Sequence, residues 1–363
     1  MSEQIAKTLV ETCLRITPED VVTIQTLPNL IPLANQIALA CYKQGADVLT
    51  ILDTDEVYFG YMKTLNAEQL RAPSKHCLGL GGYTTTNIFM GGVEDPSRFR
   101  EIPGEKMAAS QESEKPHTDL MLKRKIKVGY LALSALTQKR ADTYGLNLTE
   151  WKNAVEKAST EDYAQMGQFG KKVSNFLNDG HEVEITGPGG TNLTLQLAGR
   201  HPHLEDGIID EEDLKNGSNS VTIPAGDIAV SVAEDSAEGE FVSNLSIPQT
   251  GRLIEGITWG FKQGKVVEFK AKQNEEVVKL AYDRASGEKD RIGELLLGLN
   301  TKADVNQLFN LKQIASGAIS IGIGDNKFLD GKNDSDFQFL ATLNKGTLKI
   351  DGKTIIQDGK FTI

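Results

Sequence analysis

Histidine is scarce in this 363-residue chain, and none of its five residues lies beyond His203. The closing stretch therefore lacks imidazole, the commonest nitrogen ligand for zinc and iron. Cysteine is scarcer still. Cys13, Cys41 and Cys77 all fall in the first quarter, with no C-x-x-C pair. That excludes a cysteine-rich metal knuckle or a disulfide framework and suits thiols buried in a reducing cytosol. There is no excess of positive charge, since 39 Lys and Arg face 50 Asp and Glu for a net charge of −11. A pI near 5.1 argues against nucleic acid or an anionic membrane as the main partner. No apolar run approaches membrane-spanning length. A G-x-S-x-G nucleophile elbow is missing too, as is any cysteine-protease signature. "GLGG" at 79–82 follows an apolar run but matches neither G-x-G-x-x-G nor a P-loop, so it reads as a turn and not as a phosphate cradle.

What remains describes an ordinary folded protein, 39% hydrophobic and 25% charged, long enough for two domains. "MSEQIAKTLVETCLRI" places Ile5, Leu9 and Leu14 at helical spacing, interrupted by Glu and Lys. It reads as an amphipathic helix and not as a signal peptide, and a cytoplasmic location is expected. Strand and helix signals then alternate: "DVVTIQT" (20–26), a helical stretch at 29–46, "DVLTIL" (47–52), a polar helix near 66–72, and "KIKVGYLAL" (125–133). Such alternation predicts a parallel sheet with helices on its faces. Residues 148–177 read as helix. From 181 onward short alternating runs with glycine or asparagine turns dominate, including a hairpin signal at Gln263-Gly264. The expected organisation is an α/β domain with a parallel sheet over 1–180 and a β-rich α+β domain over 181–363.

Six stretches in series carry a family likeness: "ITGPGGTNLTLQLAGR" (185–200), "IPAGDIAVSVAEDSAEGEF" (223–241), "GITWGFKQGKVVEFKA" (256–271), "RIGELLLGLN" (291–300), "GAISIGIG" (317–324) and "GKNDSDFQFL" (331–340). In order and spacing they resemble the aminopeptidase T family, a group of leucyl aminopeptidase-like metallopeptidases. Some relatives on that frame are Fe(II) dioxygenases that open 2,5-dihydroxypyridine. The resemblance implies an aminopeptidase T-like fold with a metal site in the C-terminal domain. The peptidases hold two divalent metals that activate a water against a peptide carbonyl, and the dioxygenases hold one iron with open positions.

Carried over position by position, the resemblance places Asp227 and Glu294 at two retained acidic ligand positions. Ser320 stands where the family has a histidine strand of the form H-x-A-L-G. Gln338 and Leu340 stand at the ligand positions of its S-x-x-H-x-D element. An alcohol and an amide are poor ligands for zinc or iron, and leucine is none. The local run "GRHPHLEDG" (199–207) offers His201 and His203 as replacement nitrogens on one face of an extended segment, or else is a solvated turn. The acidic "AEDSAEGE" (233–240), with Glu234, Asp235, Glu238 and Glu240, reads as a solvated loop or as a cation or amino-group site. His76, His117 and His181 read as surface histidines.

Three functions follow from these readings. The first is an aminopeptidase-like hydrolase with a remodelled site holding zinc, manganese, cobalt or iron. The second is a binding or accessory protein without metal chemistry, taking small peptides or amino-acid-like ligands. The third is a ring-cleaving dioxygenase. Family resemblance also implies a homodimer.

Overall fold

The computed structural model describes residues 2–249, 252–306 and 311–363. The chain forms two compact units, one of residues up to Thr160 with Gly207–Pro224, the other of Glu161–Asp206 with Ala225–Ile363. The expected division at 180 follows the change from helix to strand signals, whereas packing divides the chain elsewhere. Helix Tyr163–Asp179 belongs with the second unit because Gly167 and Gly170 leave room on its face for Asp206 and Leu204. A Cβ at Gly170 would lie 2.4 Å from Leu204, so glycine lets the strand segment sit directly on the helix. Strand Ser220–Ile223, conversely, returns to the first unit and adds in parallel to Lys127–Leu131.

The first unit is built on the expected parallel sheet. Its order is Asp47–Leu52, Val21–Thr26, Thr86–Met90, Lys127–Leu131, Ser220–Ile223, and every neighbouring pair runs parallel. Val22, Ile24 and Ile88 are fully buried in it, as befits β-branched residues on a covered face. The amphipathic N-terminal segment is helical over Ser2–Lys7 and continues as a π-helical turn through Cys13, burying Ile5, Leu9 and Val10. Helix Ile31–Lys43 buries Leu33, Ala34, Ile37 and Cys41 at three- and four-residue spacing. The "GLGG" segment is not a turn after a strand. It closes helix Lys75–Gly81, which starts where the Ser74 hydroxyl accepts from the Cys77 backbone N–H. Helix Gly104–Lys123 runs through Pro116 and includes His117. Among the described residues no helix is long and apolar enough to cross a membrane.

The second unit carries an eight-stranded sheet, ordered Lys265–Lys270, Thr258–Lys262, Glu238–Val242, Asn192–Gln196, Glu182–Thr186, Thr347–Ile350, Lys353–Gln357, Lys360–Phe361. It also carries a five-stranded antiparallel sheet, ordered Gln338–Leu343, Ile319–Gly324, Ile292–Gly298, Asp227–Ser231, His203–Glu205. The expected hairpin forms, with Gln263 and Gly264 both at positive φ (49° and 73°), as a tight two-residue turn requires. Between the sheets Trp259 is fully buried, 6.0 to 6.2 Å by ring centroid from Phe241, Phe261, Phe269 and Phe339. These rings anchor the core against which the five-stranded sheet presents one face.

Candidate functional site

Residues directly opposite each other in an antiparallel ladder project from the same face, and the face alternates along each strand. The register of the five-stranded sheet therefore decides which side chains meet. Glu205 pairs with Asp227, and Asp227 with Gly298. His203 pairs with Ala229, Ala229 with Leu296, Leu296 with Ser320, and Ser320 with Thr342. Ser231 pairs with Glu294, Glu294 with Gly322, Gly322 with Leu340, and Gly324 with Gln338. One face thus collects Asp227, Glu294, Ser320, Gln338 and Leu340, with His203 and Glu205 on the edge strand. The other face carries Ile228, Val230, Leu295, Leu297, Ile319, Ile321 and Leu343, all essentially buried.

The side chains on the polar face are largely committed to one another. Glu294 is 4% exposed and lies over Gly322, where a Cβ would sit 2.5 Å from its Cγ and Oε1. Glycine at 322 is what makes room for that carboxylate. Gln338 Nε2 donates to Glu294 Oε1 at 2.9 Å. Ser320 Oγ and Thr342 Oγ1 share a hydrogen bond of 2.9 Å, both groups buried. Burial pushes the Glu294 carboxyl up to about 7, against the opposing pull of the Gln338 amide. Asp227 is half-buried at the surface, and burial together with the Glu294 charge raises it to about 7 as well. Two carboxyls that interact in this way lose their protons in successive steps that belong to the pair.

The loop feeding the Gln338 strand is pinned by amides. Asn326 Nδ2 donates to the Gly293 carbonyl at 3.0 Å, and Asn333 Nδ2 to the carbonyls of Ile292 and Gly324 at 2.9 and 3.0 Å. Both asparagines are buried. Glu234, from the acidic segment, joins the same assembly. It accepts two bonds from the Arg200 guanidinium at 2.7 and 3.0 Å, one from the Lys332 backbone N–H at 2.8 Å and one from Asn326. Burial alone would raise this carboxyl, but the Arg200, Lys332 and Asn326 donors hold it down at about 2. Glu238 accepts from the Gln263 N–H at the hairpin turn, and Asp235 is exposed. Glu234 and Glu238 are thus fastened to their own unit.

The histidines divide differently from expectation. His201 is exposed and precedes the edge strand, so no ladder pairing places it beside His203. His203 is on that face, with Nε2 3.6 Å from Asp330 Oδ2. His76 and His181 are exposed, as expected. His117 is half-buried and lines a cavity in the first unit, where desolvation lowers its pKa, so it is not a surface residue. Gly322, Thr342, Asn326, Asn333 and Arg200 shape the site without having stood out in the sequence. The Gly-x-Gly alternation of "SIGIG" is the one local sign of a side chain needing space above the strand.

As a metal-binding donor set this face fits poorly. Among the described residues no three His, Cys, Asp or Glu side chains are placed to share an ion. The positions beside Glu294 hold an amide, an alcohol and a leucine. Tight zinc or iron binding needs three or four nitrogen, sulfur or carboxylate donors converging on one point.

A family model described as thermophilic metalloprotease (M29) matches residues 1–350. Aminopeptidase AmpS of Bacillus subtilis (strain 168) is 26% identical over 189 residues, covering 47% of this chain and 45% of that protein. Aminopeptidase T of Thermus aquaticus is 31% identical over 124 residues, 34% of this chain and 29% of its own length. Aminopeptidase 2 of Geobacillus stearothermophilus is 29% identical over 208 residues, with 52% and 49% covered. The chain thus spans about half or less of the curated relatives it matches. Wild-type AmpT of Thermus thermophilus superposes with a TM-score of 0.73 at 17% identity, covering 100% of this chain and 99% of that one. The 2,5-dihydroxypyridine dioxygenase of Pseudomonas putida KT2440 gives 0.62 at 14% identity, with 99% and 96% covered. At those identities both likenesses are of fold, and the aminopeptidase T-like two-domain fold expected from the sequence is the one observed.

Proposed function

The chain belongs to the M29 thermophilic metalloprotease family, and on that premise we propose that it is an aminopeptidase T-like protein with a degenerate metal site. In this reading the sheet face binds small peptides or amino-acid-like ligands and does not hydrolyse them through paired metals. The observation that carries it is the contact between Gln338 Nε2 and Glu294 Oε1, with Ser320 tied to Thr342 and Leu340 opposite Gly322. By the family resemblance, Ser320, Gln338 and Leu340 stand at positions where metal donors would be expected. Asp227 and Glu294 retain a role as acceptors. Their charge is disfavoured by burial, and the ammonium end of a peptide placed beside them relieves that cost. Ligand binding should therefore release protons at pH 6, where the carboxyls are protonated in the free chain and the peptide amine is already an ammonium.

Calorimetric titration with alanyl-alanine in two buffers of different ionisation heat tests this reading. The expected result is binding without turnover, with proton release at pH 6 and loss of affinity in Asp227→Asn. Hydrolysis of the dipeptide by metal-free protein, or binding indifferent to Asp227, would count against it. A second reading, a hydrolase with a remodelled donor set, draws support from Glu205, which sits directly opposite Asp227, and from His203 one step along the same face. It requires that divalent metal confer peptide release and that Glu205→Gln abolish it.

A further inference from the structure

The first unit contains a cavity of about 800 Å³ whose lining residues all belong to that unit. Its floor is one face of the parallel sheet. Gln25, Phe89 and Tyr130 are paired in register across three neighbouring strands, and Asn87 lies two residues before Phe89. Asp53 follows directly on the Asp47–Leu52 strand. Helix Gly104–Lys123 supplies part of the wall. The sheet reverses its building direction at Val21–Thr26, which has the second strand on one side and the third on the other. In open parallel sheets the crevice outside the strand ends at such a reversal is the common ligand position, and the volume falls in the range of small-molecule pockets.

Two polar atoms in the cavity stand without protein partners among the described residues. Asn87 Oδ1 and Arg140 Nε are buried and have no hydrogen-bond partner among the described residues. Buried polar atoms are nearly always satisfied, so each marks a place where a ligand or water completes the bonding. Asp53 Oδ2 accepts from Gln25 Nε2 at 2.8 Å and lies against the bare backbone of Gly91, where a Cβ would come within 2.7 Å of it. Phe89 and Tyr130 meet edge to face at 5.7 Å, and Tyr130 is 40% exposed, leaving an apolar surface open to the cavity.

The chemistry is therefore a guanidinium whose Nε has no partner among the described residues, carboxylate and amide acceptors, and an aromatic wall. We propose that this cavity binds a small zwitterion of the amino-acid or dipeptide class, with its carboxylate on Arg140, its ammonium toward Asp53 and Asn87 Oδ1, and an apolar side chain along Phe89 and Tyr130. A polyphosphate fits less well, because Asp53 and Glu114 line the same space and a glycine-rich phosphate loop is absent where "GLGG" closes a helix. The proposal does not rest on the reading of the sheet face in the second unit, although both concern related ligands.

Isothermal titration of the full chain with glycyl-phenylalanine and with its C-terminal amide tests the assignment. The free acid should bind at millimolar concentration or better and the amide roughly tenfold more weakly, the loss expected when an Arg–carboxylate pair is removed. Arg140→Met should lose the preference for the acid. Tyr130→Ala, a change at a position 40% exposed, should weaken both forms. Repeating the titration in an Asp227→Asn background removes any contribution of the sheet face, and the preference for the acid over the amide should persist there. Equal binding of acid and amide by the parent protein would overturn the proposal. So would binding untouched by both first-unit substitutions, tighter binding of adenosine diphosphate than of either peptide form, or no heat with any of them.

Discussion

Replacing Glu294 by Gln removes a negative charge that the fold holds almost out of water while keeping the oxygen that accepts from Gln338. In the folded chain the carboxyl titrates at about 7 against an ordinary 4.5, so its proton is held more tightly than in the unfolded chain. The corresponding stabilisation is complete below about pH 4.5 and is lost as pH rises through 7. The difference corresponds to about 3 kcal/mol at alkaline pH, taking roughly 1.4 kcal/mol for each unit of displacement. Glu294→Gln escapes this loss. The variant should match the parent at pH 4.5 and exceed it by an amount approaching about 3 kcal/mol at pH 8.5. Urea unfolding followed by Trp259 fluorescence, in a Trp151→Phe background, reads the second unit directly. A stability difference of the same size at both pH values would refute the reasoning, as would a variant less stable than the parent at pH 8.5. The second outcome would mean that a cation compensates Glu294.

Other substitutions probe the surrounding framework. Gly322→Ala drives a methyl into the Glu294 side chain at 2.5 Å and should destabilise the second unit by about 1–3 kcal/mol in the same urea assay. Arg200→Met strips Glu234 of its paired donors while leaving it largely buried. A cost of about 3–5 kcal/mol is expected at neutral pH. Because the Glu234 carboxyl is held at about 2, the parent keeps the benefit of this pair above pH 4.5 and loses it as pH falls toward 2. The gap between parent and variant in thermal melts should narrow accordingly in acid. Trp259→Ala empties the centre of the aromatic core and should cost about 3–5 kcal/mol, seen as a lower urea midpoint.

Much of the architecture is legible in the sequence because it rests on local rules. Alternation in Ile319–Gly324 and Gln338–Leu343 reports one apolar face and one of mostly polar or small residues, and Gln263-Gly264 reports its hairpin. Helix Gly104–Lys123 escapes the same reading because only Ala109 and Ser110 are buried along its twenty residues, too few to imprint a period. The compact units escape it because Gly167 and Gly170 matter only through what packs on them. At the site, strand register brings together Asp227, Glu294, Ser320, Gln338 and Leu340, which the family likeness picks out singly. His201 falls away because the edge strand begins two residues later. The bonds Ser320–Thr342 and Gln338–Glu294 join residues 22 and 44 positions apart, and no local pattern encodes such pairings.

On the proposed reading, the sheet face of the second unit does not hold a transition metal. Elemental mass spectrometry on untagged protein, purified without chelator and then equilibrated with zinc, manganese, cobalt and ferrous iron, tests it most directly. Retained metal should lie well below one ion per chain for each of them after gel filtration. Near-stoichiometric retention of any one, abolished by Asp227→Asn or Glu294→Gln, would contradict it.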